Sequence, residues 1–208
     1  MQKKGNYPIV LLVIFLIIWI VLAINPNHRS VWIDENILTV LFVGLLVLSY
    51  RRFRFSNLSY GLLFVFMVLH SVGAHYSYNQ MPLFDLIREI FNLSRNHYDR
   101  VVHFLFGVLF FVPVYDILVG IFRVPKGWRG LFVAFFVVVA LKGGFEVIEY
   151  GYVWVKEDPL TVTNYLGEQG DTWDSQKDVF LGTIGAGISW FLVGLRGLVR
   201  WRKVEGKV

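Results

Sequence analysis

The sequence predicts an all-α integral membrane bundle of six transmembrane helices, with a short interfacial helix between the third and fourth. Three observations lead there. Of 208 residues, 56% are hydrophobic and only 17% are charged, whereas about a quarter of a soluble domain is charged. Six apolar stretches approach or exceed the roughly 20 residues that a crossing helix needs. Lysine and arginine gather at alternate connections between those stretches, as topology requires.

The spans run from about 7 to 24, 34 to 50, 60 to 78, 98 to 121, 130 to 154 and 174 to 199, within a single membrane domain covering 1–208. Asn25-Pro26-Asn27 ends the first span. Lys3 and Lys4 precede it, but its apolar run is longer than a signal-peptide core and no small-x-small site follows, so it reads as a retained helix. The second is short unless Trp32 to Asn36 extend it. Between the third and fourth, Leu83, Phe84, Ile87, Ile90 and Phe91 recur at helical spacing behind Pro82, with Asp85, Arg88, Glu89 and Asn92 between them. That pattern predicts an amphipathic helix in the membrane interface, where it either packs as a linker or covers a site.

Thirteen of the twenty basic residues lie at one set of ends: Lys3, Lys4, Arg51, Arg52, Arg54, Arg123, Lys126, Arg129, Arg196, Arg200, Arg202, Lys203 and Lys207. The opposite connections carry Asp34, Glu35, Asp85, Glu89, Glu157, Asp158, Glu168 and Asp171. Both termini are therefore expected in the cytoplasm of a cell with this protein in its inner membrane, and the acidic face outside. The formal charge of +5 is a topology signal. It is not a nucleic-acid footprint, since no aromatic–basic face accompanies it. With no cysteine, thiolate ligands, disulfides and cysteine nucleophiles are excluded.

The chemistry lies in ionisable residues placed within these apolar spans. A charge at membrane depth costs roughly 2.5–3.5 kcal/mol if it faces lipid alone, so such residues must face one another, water or an ion. His70 and His75 fall near the outer end of the third span. Asp99 and His103, four apart, share a face of the fourth. Glu146 and Glu149 fall near the outer end of the fifth, and Asp174 and Asp178 open the sixth. Four spans thus bring imidazole or carboxylate to one layer below the outer surface. A divalent cation accounts for three histidines and several acids in one place, with Zn, Fe or Mn favoured over Mg or Ca because imidazole is in the set. The expected metal ligands are His70, Asp99, His103 and Asp178. Glu146 and Glu149 are the expected catalytic carboxylates. His75, Asp171 and Asp174 are expected behind the ligands, orienting them. Local ion pairs are the competing explanation for Lys142 with Glu146, Asp99 with Arg100, and Asp174 with Lys177.

Two further patterns read as structural. Gly182-Thr-Ile-Gly185-Ala186-Gly187 offers a bare helix face for close packing. Tyr76, Tyr78, Tyr98, Tyr150, Tyr152, Trp154 and Trp173 form an outer aromatic belt. The turn from Gly167 to Asp171 lies where it would cover the polar layer.

His-Ser-Val-Gly-Ala-His-Tyr-Ser-Tyr at 70–78, Asn-His-Tyr-Asp-Arg-Val-Val-His-Phe at 96–104, Glu-Val-Ile-Glu-Tyr at 146–150 and Gly-Asp-Thr-Trp-Asp-Ser-Gln-Lys-Asp at 170–178 resemble the YjdF-like family of multi-pass membrane proteins. The resemblance covers most of the chain and implies fold and location, without a mechanism. More distantly, Asp99, His103, Phe104 and Asp178 followed by Gly185-Ala186 are similar to the VanZ-like family, associated with glycopeptide resistance. That similarity implies an envelope-lipid or cell-wall setting.

Taken together, these residues lead to the expectation of a metal-dependent hydrolase acting on a membrane lipid or lipid-linked amphiphile. One alternative is a proton- or ion-coupled transporter, for which buried acids and histidines would form a relay. The other is a resistance or assembly factor that binds an envelope lipid without transforming it. The polar residues crowd one half of the spans, which argues against a through-path.

Overall fold

A computed structural model describes residues 6–156 and 168–205, with side chains described as far as 197. Lys3, Lys4, Glu157, Asp158, Gly167, Lys207 and the side chains of Arg200, Arg202 and Lys203 lie outside that description. The described elements are helical: α1 (Tyr7–Leu22), α2 (Arg29–Ser49), α3 (Asn57–Tyr76), α4 (Pro82–Ile90), α5 (Tyr98–Gly120), α6 (Trp128–Lys156) and α7 (Asp174–Glu205), with one 3₁₀ turn at Glu168–Gly170. Five of them, α2, α3, α5, α6 and α7, are long and apolar enough to cross a membrane. α1 is apolar but shorter, at 16 residues.

The exterior is what lipid would solvate. Ile17, Leu48, Val147 and Phe191 point outward with more than half of their surface exposed. The interior holds polar groups that a soluble core would exclude, among them Asn96, Asp99, Lys142, Glu146, Asp174 and Asp178. Backbone hydrogen bonds close within each helix, which is the only solution for lipid-exposed segments of this length.

α5 is the central helix. It packs on α3, α6 and most closely on α7. The α5–α7 approach depends on missing side chains: a Cβ on Gly107 would fall 1.9 Å from the Gly182 carbonyl oxygen, and one on Gly185 would fall 2.2 Å from that of Phe104. Ser189 Oγ then donates to the Val108 carbonyl across the same seam, at 2.9 Å. The glycine pattern of the last span is thus a packing face, as small residues at helix crossings usually are. Beside it lies an apolar core of Phe111, Val114, Leu118, Leu131, Ala134, Val138 and Ala186.

α2 starts at Arg29, five residues before the expected span at about 34, so Asp34, Glu35 and Asn36 lie past its first turn rather than at its start. Asn36 is buried because Trp19 Nε1 of α1 donates to its side-chain oxygen, at 2.5 Å. The α1–α2 turn is tied to α3: Asn27 N donates to the His75 carbonyl at 2.9 Å, and His75 Nδ1 donates to the Leu22 carbonyl at 2.8 Å. At the other end, Ser56 caps α3 by accepting from Ser59 N. Asp116 of α5 accepts from Ser56 N and from Ser59 Oγ, at 3.0 and 2.6 Å. Each of these bonds satisfies a helix end or a buried polar group that would otherwise be orphaned.

α4 carries Leu83, Leu86 and Ile90 on an exposed apolar face, while Phe84 turns in and packs edge-on against Tyr98. The aromatic belt is smaller than expected. Tyr98 is only 3% exposed and its hydroxyl donates to the Leu69 carbonyl. Tyr78 also turns inward, whereas Tyr150, Trp154 and Trp173 remain exposed.

Candidate functional site

Because α2 packs on α3 and stands off from α5 and α6, a cavity of about 420 Å³ remains between these four helices. Its upper wall is polar: Glu35 of α2, His70 of α3, Tyr78, Asp99 and His103 of α5, Lys142 and Glu149 of α6. Its lower wall is apolar, with Phe42, Leu45, Phe66, Phe106 and Phe110. The rings there pack on one another: Phe66 lies edge-on to Phe110, with centroids 4.8 Å apart, and Phe106 stacks on Phe110 at 4.3 Å.

One edge of the polar wall is a tight triangle. His103 Nε2 lies 2.8 Å from Asp99 Oδ1, the consequence of i, i+4 spacing on α5. Asp178 of α7 completes it: one ligand atom from each of Asp99, His103 and Asp178 lies within 4.8 Å of the others. Asp178 is 4% exposed, and its Oδ1 has no hydrogen-bond partner among the described residues. The glycine seam puts it there, since Gly182 sits one turn further along α7 and brings that helix against His103. His103 Nδ1 faces the Glu146 carboxylate at 3.7 Å, and Glu146 is in turn held by the Lys142 ammonium. Lys142 is 1% exposed, with its stem lying against the bare Gly182. An imidazole with one nitrogen towards carboxylates and the other backed by a carboxylate is the usual support of a metal-binding histidine.

Across the cavity, Tyr78 Oη lies 2.5 Å from His70 Nδ1. The Glu35 carbonyl can only accept, so the proton of the neutral His70 ring sits on Nε2, which faces it at 3.3 Å. Nδ1 therefore accepts from the Tyr78 hydroxyl. His70 and Tyr78 thus form a separate part of the wall, beside the triangle and outside it.

The outer rim is a network of ion pairs. Asp174 Oδ1 accepts from Arg95 Nη1 at 2.5 Å. Asp171 is bound by Arg100 and by Lys177, the latter at 2.6 Å. The Lys177 ammonium holds the Asp171 carboxyl down to about 2. Asn96 and Gln169 exchange two hydrogen bonds, Asn96 N to Gln169 Oε1 at 2.7 Å and Gln169 Nε2 to the Asn96 carbonyl at 2.9 Å, which fasten the 3₁₀ turn to the start of α5.

Of the residues singled out in the sequence, Asp99, His103 and Asp178 converge, with Glu146 behind them and Glu149 on the cavity wall. Asp171 and Asp174 lie at the rim, paired with arginines. His75 points to α1. The helix wheel explains this, because residues five apart are turned by about 140° from one another, so His75 faces away from His70. Glu35, Tyr78 and Arg95 were missed as site residues. Glu35 was hidden by its place at the edge of the second span, Tyr78 by its place among interfacial aromatics, and Arg95 by its place in the connection before α5.

The family described as predicted membrane protein (DUF2238) matches residues 7–197. The chain belongs to this family. The DUF2238 match takes in every helix that builds the cavity. The chain is also 30% identical over 170 residues to the inner membrane protein YjdF of Escherichia coli strain K12, covering 82% of this chain and 80% of that one. No solved structure gives a significant match. The DUF2238 chain described here is thus a multi-pass membrane protein related to an inner membrane protein.

Proposed function

We propose that this protein binds a divalent cation at Asp99, His103 and Asp178 and uses it to hydrolyse a linkage in a membrane amphiphile. The observation that carries the reading is the shape of one cavity, whose wall passes from Asp99 and His103 to a bed of phenylalanines within a few helical turns. An amphiphile has the same division, with a polar head above a chain. One imidazole and two carboxylates suit Zn, Mn or Fe. Neutralisation by a cation also accounts for the unpartnered Asp178 oxygen, which would otherwise be a costly buried group.

Asp99, His103 and Asp178 would hold the cation, which would supply an activated water for attack on the linkage. Glu149, on the cavity wall, takes the water's proton and returns it to the leaving oxygen. Glu146 is the weaker candidate for the base because it is committed to Lys142 and to the far side of His103. All six long apolar segments cross the membrane, α1 included, with both termini cytoplasmic and the cavity at headgroup depth on the outer side. α4 lies in the interface, where its exposed leucines meet lipid. The polar groups of the cavity crowd one end and phenylalanines line the other, which favours a one-sided site over a transport path.

Elemental analysis of the purified protein tests the reading. One equivalent of a transition metal is expected in the wild type and less than a tenth of that in Asp178→Asn. Incubation with a membrane lipid extract, read by mass spectrometry with and without chelator, is expected to give metal-dependent products. A metal-free protein whose lipid turnover is unaffected by His103→Ala would overturn it.

A further inference from the structure

The α2–α3 side of the cavity carries a second observation. Three hydroxyl-bearing residues within the described spans behave as membrane hydroxyls ordinarily do and bond back one turn: Ser71 Oγ to the Met67 carbonyl at 2.8 Å, Thr183 Oγ1 to Val179 at 2.7 Å, and Ser49 Oγ to Leu46 at 3.3 Å. Thr39 does not. It is 2% exposed, lines the cavity, and its Oγ1 has no hydrogen-bond partner among the described residues. The carbonyl one turn back is that of Glu35, and His70 Nε2 faces it. Ser77 repeats the pattern: it is 3% exposed, lines the same cavity, and its Oγ is likewise unpartnered. A buried hydroxyl with no partner is destabilising. Two on one cavity wall are the mark of a polar ligand that is to complete them.

Their position narrows the ligand. Glu35, Thr39 and Phe42 follow at i, i+4 and i+7, so α2 presents a carboxylate, then a hydroxyl, then a ring, on one line into the cavity. Thr39 therefore sits where polar wall gives way to apolar wall. The cationic side chain on that wall, Lys142, is neutralised by Glu146, while Glu35 and Glu149 supply acceptors beside Thr39 and Ser77. An anionic head would meet those acids. A neutral hydroxyl-bearing head can donate to the carboxylates and exchange hydrogen bonds with Thr39 and Ser77. Building on the amphiphile reading above, we propose that the α2–α3 wall, through Thr39 and Ser77, is the recognition subsite for an uncharged, polyhydroxylated headgroup of the glycosyl-lipid class. Its chain lies against Phe42 and Phe66.

The test uses the full chain in detergent micelles and native mass spectrometry. The probes are glucosyl diacylglycerol and phosphatidylethanolamine with identical acyl chains, and the variants are Thr39→Val, Thr39→Ser and Ser77→Ala. The wild type is expected to bind the glucosyl lipid at least tenfold more tightly than the ethanolamine lipid. Thr39→Val is expected to lose that preference and Thr39→Ser to keep most of it. Thr39→Val should unfold at the same or a higher temperature than the wild type, because it removes an unsatisfied hydroxyl. Ser77→Ala should reduce the preference without lowering the melting temperature. A lowered melting temperature in Thr39→Val with the preference intact would show a structural hydroxyl and overturn the proposal. Binding of both lipids alike, or tighter binding of the ethanolamine lipid, would overturn it while leaving the amphiphile reading standing. Failure to retain either lipid would overturn both.

Discussion

Gly73 and Tyr78 share one volume: a Cβ on Gly73 would lie 2.6 Å from two carbons of the Tyr78 ring. Ser77 and Tyr78 both adopt left-handed backbone, φ 53° and 52°, and Tyr78 N closes the end of α3 on the Gly73 carbonyl at 2.8 Å. That turn folds the ring back over the bare residue and delivers its hydroxyl to His70. Two consecutive non-glycine residues in this region are a local expense that the surrounding contacts hold in place.

Gly73→Ala is accordingly expected to destabilise the protein, although alanine is the better helix former. The loss should exceed that of Tyr78→Phe, which removes one hydrogen bond worth about 1 kcal/mol. In a Tyr78→Ala background the sign should reverse, with Gly73→Ala stabilising by up to about 1 kcal/mol. Thermal unfolding of the four proteins in one detergent measures the cycle.

Gly107 meets the Gly182 backbone, which cannot move aside as a side chain can. Gly107→Ala is expected to force α5 and α7 apart at a cost of about 3 kcal/mol. Because Asp178 lies one turn from Gly182, the triangle with Asp99 and His103 should open as well. Isothermal titration with zinc should show weaker binding in this variant even at temperatures where it remains folded.

Lys142 and Glu146 are both buried and bonded to each other. Lys142→Met leaves a carboxylate in the interior and is expected to cost about 3–5 kcal/mol. Adding Glu146→Gln should recover most of that loss, because the carboxylate that lost its ammonium is then replaced by a neutral amide. Chemical denaturation of the two variants decides it. A double mutant no more stable than Lys142→Met would remove the pair from the account.

Asp171 is held down to about 2 by the hydrogen bond and charge of Lys177, below the roughly 3.9 of an unfolded aspartate. A carboxyl whose folded value is the lower one contributes stability above its unfolded value and loses it as the pH falls through the folded one. Its contribution is therefore complete above about pH 4 and gone near pH 2. In Lys177→Met the Asp171 titration should move up towards the ordinary aspartate value, leaving less of this acid sensitivity. Carboxyl NMR titration of the two proteins follows that shift directly.

Much of the side-chain cluster is legible in the sequence. Spacing alone put Asp99 with His103 on one face, and hydropathy alone put Glu146 and Asp178 where charge is expensive. Other members were not readable. Glu35 stands at the edge of its span, where Asp34, Glu35 and Asn36 lower the local hydropathy, and only the packing of α2 on α3 turns it to the cavity. Tyr78 and Trp154 are alike in sequence position near a span end, yet one turns into the cavity and the other stays exposed. The difference is the left-handed turn at Ser77 and the missing side chain at Gly73.

Composition and periodicity were enough for a membrane chain of apolar helices with ionisable residues set into them, because the cost of charge in hydrocarbon acts on each segment independently. Which of those residues meet depended on the three-dimensional packing. Asp178 joins Asp99 and His103 because three glycines let two backbones touch, while Asp174, one turn away on the same helix, is claimed by Arg95. The cavity exists because α2 leans on α3 and leaves α5 and α6 uncovered, a choice of neighbours that no single segment encodes.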